Sequence, residues 1–126
     1  MDTIKPTQNF AVCTYATKSY LHAWNQMIRR VCAAVSHLES GHFIFSTDES
    51  KEAKNAAKFL ETELPANWKI HTICHNIPDD TAENYKKQSQ YIIAQIQGSA
   101  FAAARKLKCD YVWSVESDIL VPPDAL

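Results

Sequence analysis

Short apolar runs rich in β-branched and aromatic residues alternate along this chain with longer stretches of helical periodicity. That alternation narrows the fold more than any other feature. The runs are Phe10-Ala11-Val12-Cys13, His42-Phe43-Ile44-Phe45, Trp68 to Cys74, and Tyr111-Val112-Trp113-Ser114-Val115. Between the first two, Leu21, Trp24, Ile28, Val31, Cys32, Val35 and Leu38 recur at steps of three and four, one face of a helix. Ala53, Ala56, Ala57, Leu60 and Leu64 form a second such face, and Pro65 closes it. A third helix carries Ile92, Ile93, Ile96, Ala100, Ala103, Ala104 and Leu107 on its buried side. It is expected to start near Gln90, after a polar stretch opened by the turn-rich Asn76 to Thr81. The order βαβαβ, then αβ, predicts one α/β domain over residues 1–126, three-layered α/β/α around a mostly parallel sheet.

Local signals refine this frame. Thr17 or Ser19 is placed to cap the first helix, and any of Asp48, Glu49 or Ser50 the second. Gly41 stands where a glycine ends a helical unit. Gly98 lies inside the third helix, where glycine costs about 1 kcal/mol relative to alanine. Close approach of that helix to a strand or a ligand is the expected compensation. The third run alternates and reads as a half-exposed or edge strand. The fourth is continuously apolar, bounded by Lys108-Cys109-Asp110 and Pro122-Pro123, and reads as a buried parallel strand.

Composition removes several function classes. Gly41 and Gly98 are the only glycines, so a Gly-rich phosphate loop is excluded. A formal net charge of −1 provides no basic stripe for nucleic acid. Lys51, Lys54 and Lys58 are balanced by neighbouring glutamates and read as a solvated helix face. Cys13, Cys32, Cys74 and Cys109 form no Cys-x-x-Cys pair, so buried reduced thiols and a cytoplasmic location are expected. No apolar stretch approaches the roughly 20 residues of a transmembrane helix, and the first residues lack the apolar core of a signal peptide.

Chemistry concentrates after the fourth run, at Glu116-Ser117-Asp118. Carboxylates two apart in an extended segment point the same way. At the end of a buried strand they call for a cation or a ligand. Hard oxygen donors suit Mg²⁺ or Mn²⁺, which retain waters and take further ligands from a substrate phosphate. Alternatively, Ser117 and Asp118 open a turn before the prolines. If the strand order reverses between the first and fourth strands, a ligand crevice opens at their carboxyl ends. Thr14 and Tyr15 then lie beside Glu116 and Asp118, with Asp48 nearby. Tyr15 either stacks on a nucleobase or packs internally. Asp48 either accepts from a base N–H or caps the second helix. His71 and His75 share one face of the third strand and Cys74 points the other way, which favours an exposed strand face over a metal site. No nucleophile with a paired histidine stands out.

With Val115-Glu116-Ser117-Asp118 closing the fourth strand, Ile119-Leu120-Val121-Pro122-Pro123 following it and Thr14-Tyr15-Ala16 ending the first, the chain resembles the nucleotide-sugar half of the GT-A-fold glycosyltransferases. The resemblance runs from about Asn9 to Leu126 and includes Asp48 after the second strand and Gly98-Ser99-Ala100 in the last helix. It implies a Rossmann-like fold truncated after the fourth strand, comprising the donor-binding half. It implies a UDP- or GDP-linked sugar donor, Mn²⁺ or Mg²⁺ held by Asp118 with Glu116, and a nucleoside met by Thr14, Tyr15, Asp48 and Glu116. The acceptor and the catalytic base are not readable. Three departures stand out. Glu116 occupies the place of the motif's first Asp, Ala16 that of an Asn, and the family's Arg-Asn pair has no counterpart. The alternative is a non-catalytic nucleotide-binding or interaction domain of the same fold, inactive as an isolated fragment. A nucleotidyltransferase would need a Gly-rich basic loop that Thr14 to Lys18 lacks.

Overall fold

The computed structural model describes residues 9–76 and 82–117, and within them the side chains of all but Ser19 and residues 82–92. Strand β1 (Phe10–Ala16) leads through a 3-10 turn (Lys18–Tyr20) into helix α1 (Trp24–Ala34). Then follow β2 (Gly41–Asp48), α2 (Lys51–Glu63), β3 (Trp68–His75), α3 (Ala82–Lys106) and β4 (Tyr111–Ser114). All four strands are parallel, in the order β3-β2-β1-β4. The sheet therefore grows outward from β1 to β3 and then reverses, so that β4 pairs on the far side of β1. This is the expected switch point.

Alternation along the strands sorts the core into two layers. Phe10, Val12, Phe43 and Phe45 face α1 and α2, where they meet Trp24, Met27, Ile28, Val31, Val35 and Leu60. Ala11, Cys13 and Ile44 face α3 and meet Ala100 and Ala104. Small residues on both sides of the second layer let α3 lie close to the sheet. Burial of each large side chain in the first layer contributes roughly 1.5–3 kcal/mol. Trp24 ties that layer together: its ring lies 4.5 Å from Phe45 and edge-on to Phe43. Its indole N–H donates to the Ala56 carbonyl at 2.9 Å, joining α1 to α2.

Several local expectations are corrected. Thr17 precedes the 3-10 turn and Ala23 precedes α1, and neither side chain makes a capping hydrogen bond; the Ser19 side chain lies outside the described ones. Of the three candidates, Ser50 caps α2 by accepting the Ala53 N–H at 3.1 Å. Gly41 has no left-handed backbone. It opens β2 beneath the Trp68 indole, where a Cβ would sit 2.5 Å from the ring. Gly98 faces open space, with nothing within 4 Å of a Cβ, so no close approach explains it. Helix α3 begins at Ala82, well before Gln90, because Glu83, Lys86, Lys87 and Gln88 are good helix formers without an apolar stripe. Ile93, expected inside, is 42% exposed. Cys74 is exposed, and Cys32 and Cys109 are only partly buried; all four cysteines are free thiols.

The largest correction concerns β4. Val112 is 45% exposed and Tyr111 38%. The strand is an edge of the described sheet, and α3 packs on β1 and β2 instead. An apolar run shows affinity for a core but does not show which strands the helices cover.

Where α3 ends, Lys108 adopts a left-handed conformation (φ 55°). The Cys109 N–H reaches the Ala104 carbonyl and the Lys108 N–H reaches Arg105, the paired bonds of a Schellman turn. Asn9 Nδ2 donates to the Leu107 and Lys108 carbonyls, and the Asn9 N–H donates to Asp110 Oδ2 at 2.8 Å. These bonds lock the amino end of β1 to the turn that starts β4 and so fix the β1–β4 register.

Candidate functional site

The carboxyl ends of β1 and β4 form one rim. The Val115 N–H continues the ladder onto the Cys13 carbonyl at 2.9 Å, and the buried Thr14 hydroxyl donates to the Val115 carbonyl. Beyond the strand, Ser117 turns inward and its hydroxyl donates to the Tyr20 carbonyl at 2.7 Å. Ser117 is buried and its neighbour Glu116 is exposed. The acidic segment is thus pinned to the β1–α1 loop by the residue between the two acids, and the Glu116 carboxylate is left toward solvent. Asp118 lies outside the described residues.

Asp48 draws the third stretch in. It is only 9% exposed. Its Oδ2 accepts the Lys18 N–H and its Oδ1 the Ser50 N–H, both at 2.9 Å. One carboxylate therefore fastens the β1–α1 loop to the β2–α2 loop. Thr47 adds a hydroxyl bond to the Ala16 carbonyl at 2.7 Å. Thr14 and Tyr15, Asp48 and Glu116 stand at the carboxyl ends of β1, β2 and β4. Three of them already have internal partners: Thr14 on Val115, Asp48 on the two loop amides, and the Tyr15 hydroxyl, which accepts from Gln97 Nε2 of α3 at 3.1 Å. The Thr17 hydroxyl, just past β1, is buried and makes no hydrogen bond. Lone buried hydroxyls of this kind cost about 1–3 kcal/mol.

The sequence offered Ser117 only as the start of a turn and did not mark Gln97 or the Lys18 amide. Only their partners across the fold give them a role, and a single chain carries no signal of those partners. A cleft of about 520 Å³ opens next to the rim, between the Lys18–Asn25 segment and α2, lined by Lys18, His22, Asn25, Asn55 and Phe59 among others. It lies on the α1/α2 side of the sheet and not between β1 and β4.

On the opposite sheet face, β2 and β3 present two polar side-chain pairs. His42 Nδ1 lies 3.0 Å from His71 Nε2, and Ser46 Oγ lies 3.1 Å from His75 Nε2. The second is a serine–histidine pair that the sequence did not reveal. Ser46 is fully buried, so the contact satisfies an interior hydroxyl and presents no accessible nucleophile. Burial, then the neighbouring His71 and Lys69, hold the His42 pKa below its ordinary value. Burial likewise pushes the Cys13 thiol up to about 12 and the Cys32 thiol up to about 11.

Among the described residues, no three His, Cys, Asp or Glu side chains gather closely enough to hold a metal ion. Among the same residues, no helix is long and apolar enough to cross a membrane. No protein-family model, curated protein or solved structure matches the chain. Functional inference therefore rests on the residues themselves.

Proposed function

We propose that this chain is the donor-binding domain of a GT-A-type glycosyltransferase, taking a UDP- or GDP-linked sugar together with Mn²⁺ or Mg²⁺. One observation carries the reading: the sheet reverses between β1 and β4, and the Ser117–Tyr20 bond sets the Glu116 segment against the β1–α1 loop at that reversal. Open α/β sheets bind ligands at such points.

The donor set suits a hard divalent ion, because Glu116 offers solvent-facing carboxylate oxygens and Asp118 follows two residues later. When bound, the ion neutralises the diphosphate and stabilises it as a leaving group. The chain's own residues do the rest of the binding. The Thr14–Lys18 backbone shapes the nucleoside side of the crevice. Tyr15, steadied by Gln97, supplies a ring wall. Asp48 holds the loop in place, and each of its oxygens keeps lone-pair capacity for a base N–H.

A second reading, a non-catalytic nucleotide-binding or interaction domain of the same fold, is favoured by the internal bonds of Asp48 and Tyr15. Calorimetric titration with UDP and GDP, with and without Mn²⁺, tests the donor-site proposal. Metal-dependent binding that is lost in Asp118→Ala and weakened in Glu116→Ala supports it. If neither nucleotide binds in the presence of Mn²⁺, the donor site is refuted. Sugar-nucleotide hydrolysis or transfer then separates the two readings, because the second predicts binding without turnover.

A further inference from the structure

We propose that His42 and His71 form a two-imidazole site for a divalent transition cation of right-angled ligand preference, Cu²⁺ or Ni²⁺, on the α3-side face of the sheet. The site is distinct from the β1–β4 rim and does not depend on the donor-site reading.

Geometry carries the inference. His71 is the register partner of Ile44, so His42 and His71 are diagonal neighbours on one sheet face, each anchored in a hydrogen-bonded parallel ladder. Their facing nitrogens are 3.0 Å apart and their ring centroids 5.2 Å apart. Two ligands at about 2.1 Å from one ion lie about 3.0 Å apart at a right angle and about 3.4 Å apart at the tetrahedral angle. The observed spacing matches the right-angled bite, which belongs to tetragonal and octahedral ions and not to a structural zinc. Backbone pairing fixes both Cβ positions in advance; the two nitrogens now face each other across a direct hydrogen bond, so both rings turn off that line to bring their lone pairs onto one ion.

The proton arrangement also fits. A hydrogen bond between two imidazole nitrogens requires at least one of them to be an unprotonated acceptor. With both rings neutral, His42 carries its proton on Nε2 and His71 on Nδ1 once the ion occupies the space between them. Both rings are half-buried, so the ion is reachable from solvent. Lys69 projects from the same strand face as His71 and opposes the cation electrostatically. No third His, Cys, Asp or Glu joins the pair among the described residues, so water fills the remaining positions and the affinity is moderate. Exposed His22 and His37 on the far side of the molecule serve as internal controls.

Ni²⁺ is the suitable probe, because exposed Cys74 would reduce Cu²⁺. Titration of the tag-free full chain with NiCl₂ at pH 7.0, in a non-coordinating buffer, is expected to show one site in the micromolar range. Its affinity should fall at least tenfold in His42→Asn and in His71→Asn, and should be unchanged in His75→Asn. A second measurement needs no variant. Saturating Ni²⁺ should slow diethylpyrocarbonate modification of His42 and His71, followed by peptide mass mapping, and leave His22 and His37 reacting at their original rates. Binding weaker than millimolar, affinity unchanged in both variants, or protection of other histidines overturns the proposal.

Discussion

Replacing Asp48 with asparagine separates a loop fastener from a ligand contact. The native carboxylate is 9% exposed and accepts two backbone N–H groups at 2.9 Å, one from Lys18 and one from Ser50. An asparagine keeps a single acceptor oxygen. Whichever way the amide turns, its NH₂ faces a backbone donor, and one N–H at the β1–α1 or β2–α2 loop loses its partner. A hydrogen bond to a charged acceptor contributes about 1.5–3 kcal/mol, and that is the expected loss of stability for Asp48→Asn. Urea unfolding followed by tryptophan fluorescence reads it as a lower midpoint with an unchanged slope. A change below about 0.5 kcal/mol, within the range of ordinary surface substitutions, would refute the fastening role. Lost nucleotide binding with intact stability would reassign Asp48 to the ligand alone.

Other consequences are independent of this one. Gly98→Ala should stabilise the chain by roughly 0.5–1 kcal/mol, since a Cβ there meets nothing within 4 Å; a raised urea midpoint checks it. The Cys13 thiol is lifted from 9.0 to about 12, so the folded state holds a proton that the unfolded state releases. Its contribution to stability is complete below pH 9 and declines as pH rises from about 9 toward 12. Cys13→Ala should therefore flatten the alkaline fall of the urea midpoint, measured between pH 8 and pH 10.5 against the native chain. Iodoacetamide at pH 7.5 should label exposed Cys74 first and leave Cys13 and Cys32 nearly untouched, as read by mass spectrometry, because Cys74 is accessible while burial keeps the Cys13 and Cys32 thiols protonated.

The layered architecture was legible because it depends on short-range periodicity and a few topological rules. Trp24, Ile28 and Val31 marked the buried face of α1, although Leu21 and Leu38 at the ends of the pattern lie outside the helix; the alternation at Phe43 and Phe45 marked one face of β2, and the βα order implied the parallel sheet. The reversal at β1 stood as a condition on the strand order, and the order β3-β2-β1-β4 meets it. Most of what escaped detection depends on contacts between residues distant in sequence. Gly41 is a glycine because Trp68 lies against it from the neighbouring strand. The exposure of Val112 reflects which strands α3 covers. The early start of α3 at Ala82 rests on helix propensity in a segment with no apolar stripe. Ser117, a small polar residue between two acids, gave no hint that it would be the buried one. Its inward turn is what sets Glu116 outward.

Nuclear magnetic resonance offers the most direct test of the central claim, that the β1–β4 reversal is a nucleotide site. Adding UDP or GDP with Mg²⁺ to the ¹⁵N-labelled chain should shift amide signals of Thr14 to Tyr20 and of Val115 to Ser117, with smaller shifts at Asp48 to Ser50. The changes should require the metal. Signals that do not move with either nucleotide, or that move only along the α1–α2 cleft at His22, Asn25 and Asn55, would contradict the account.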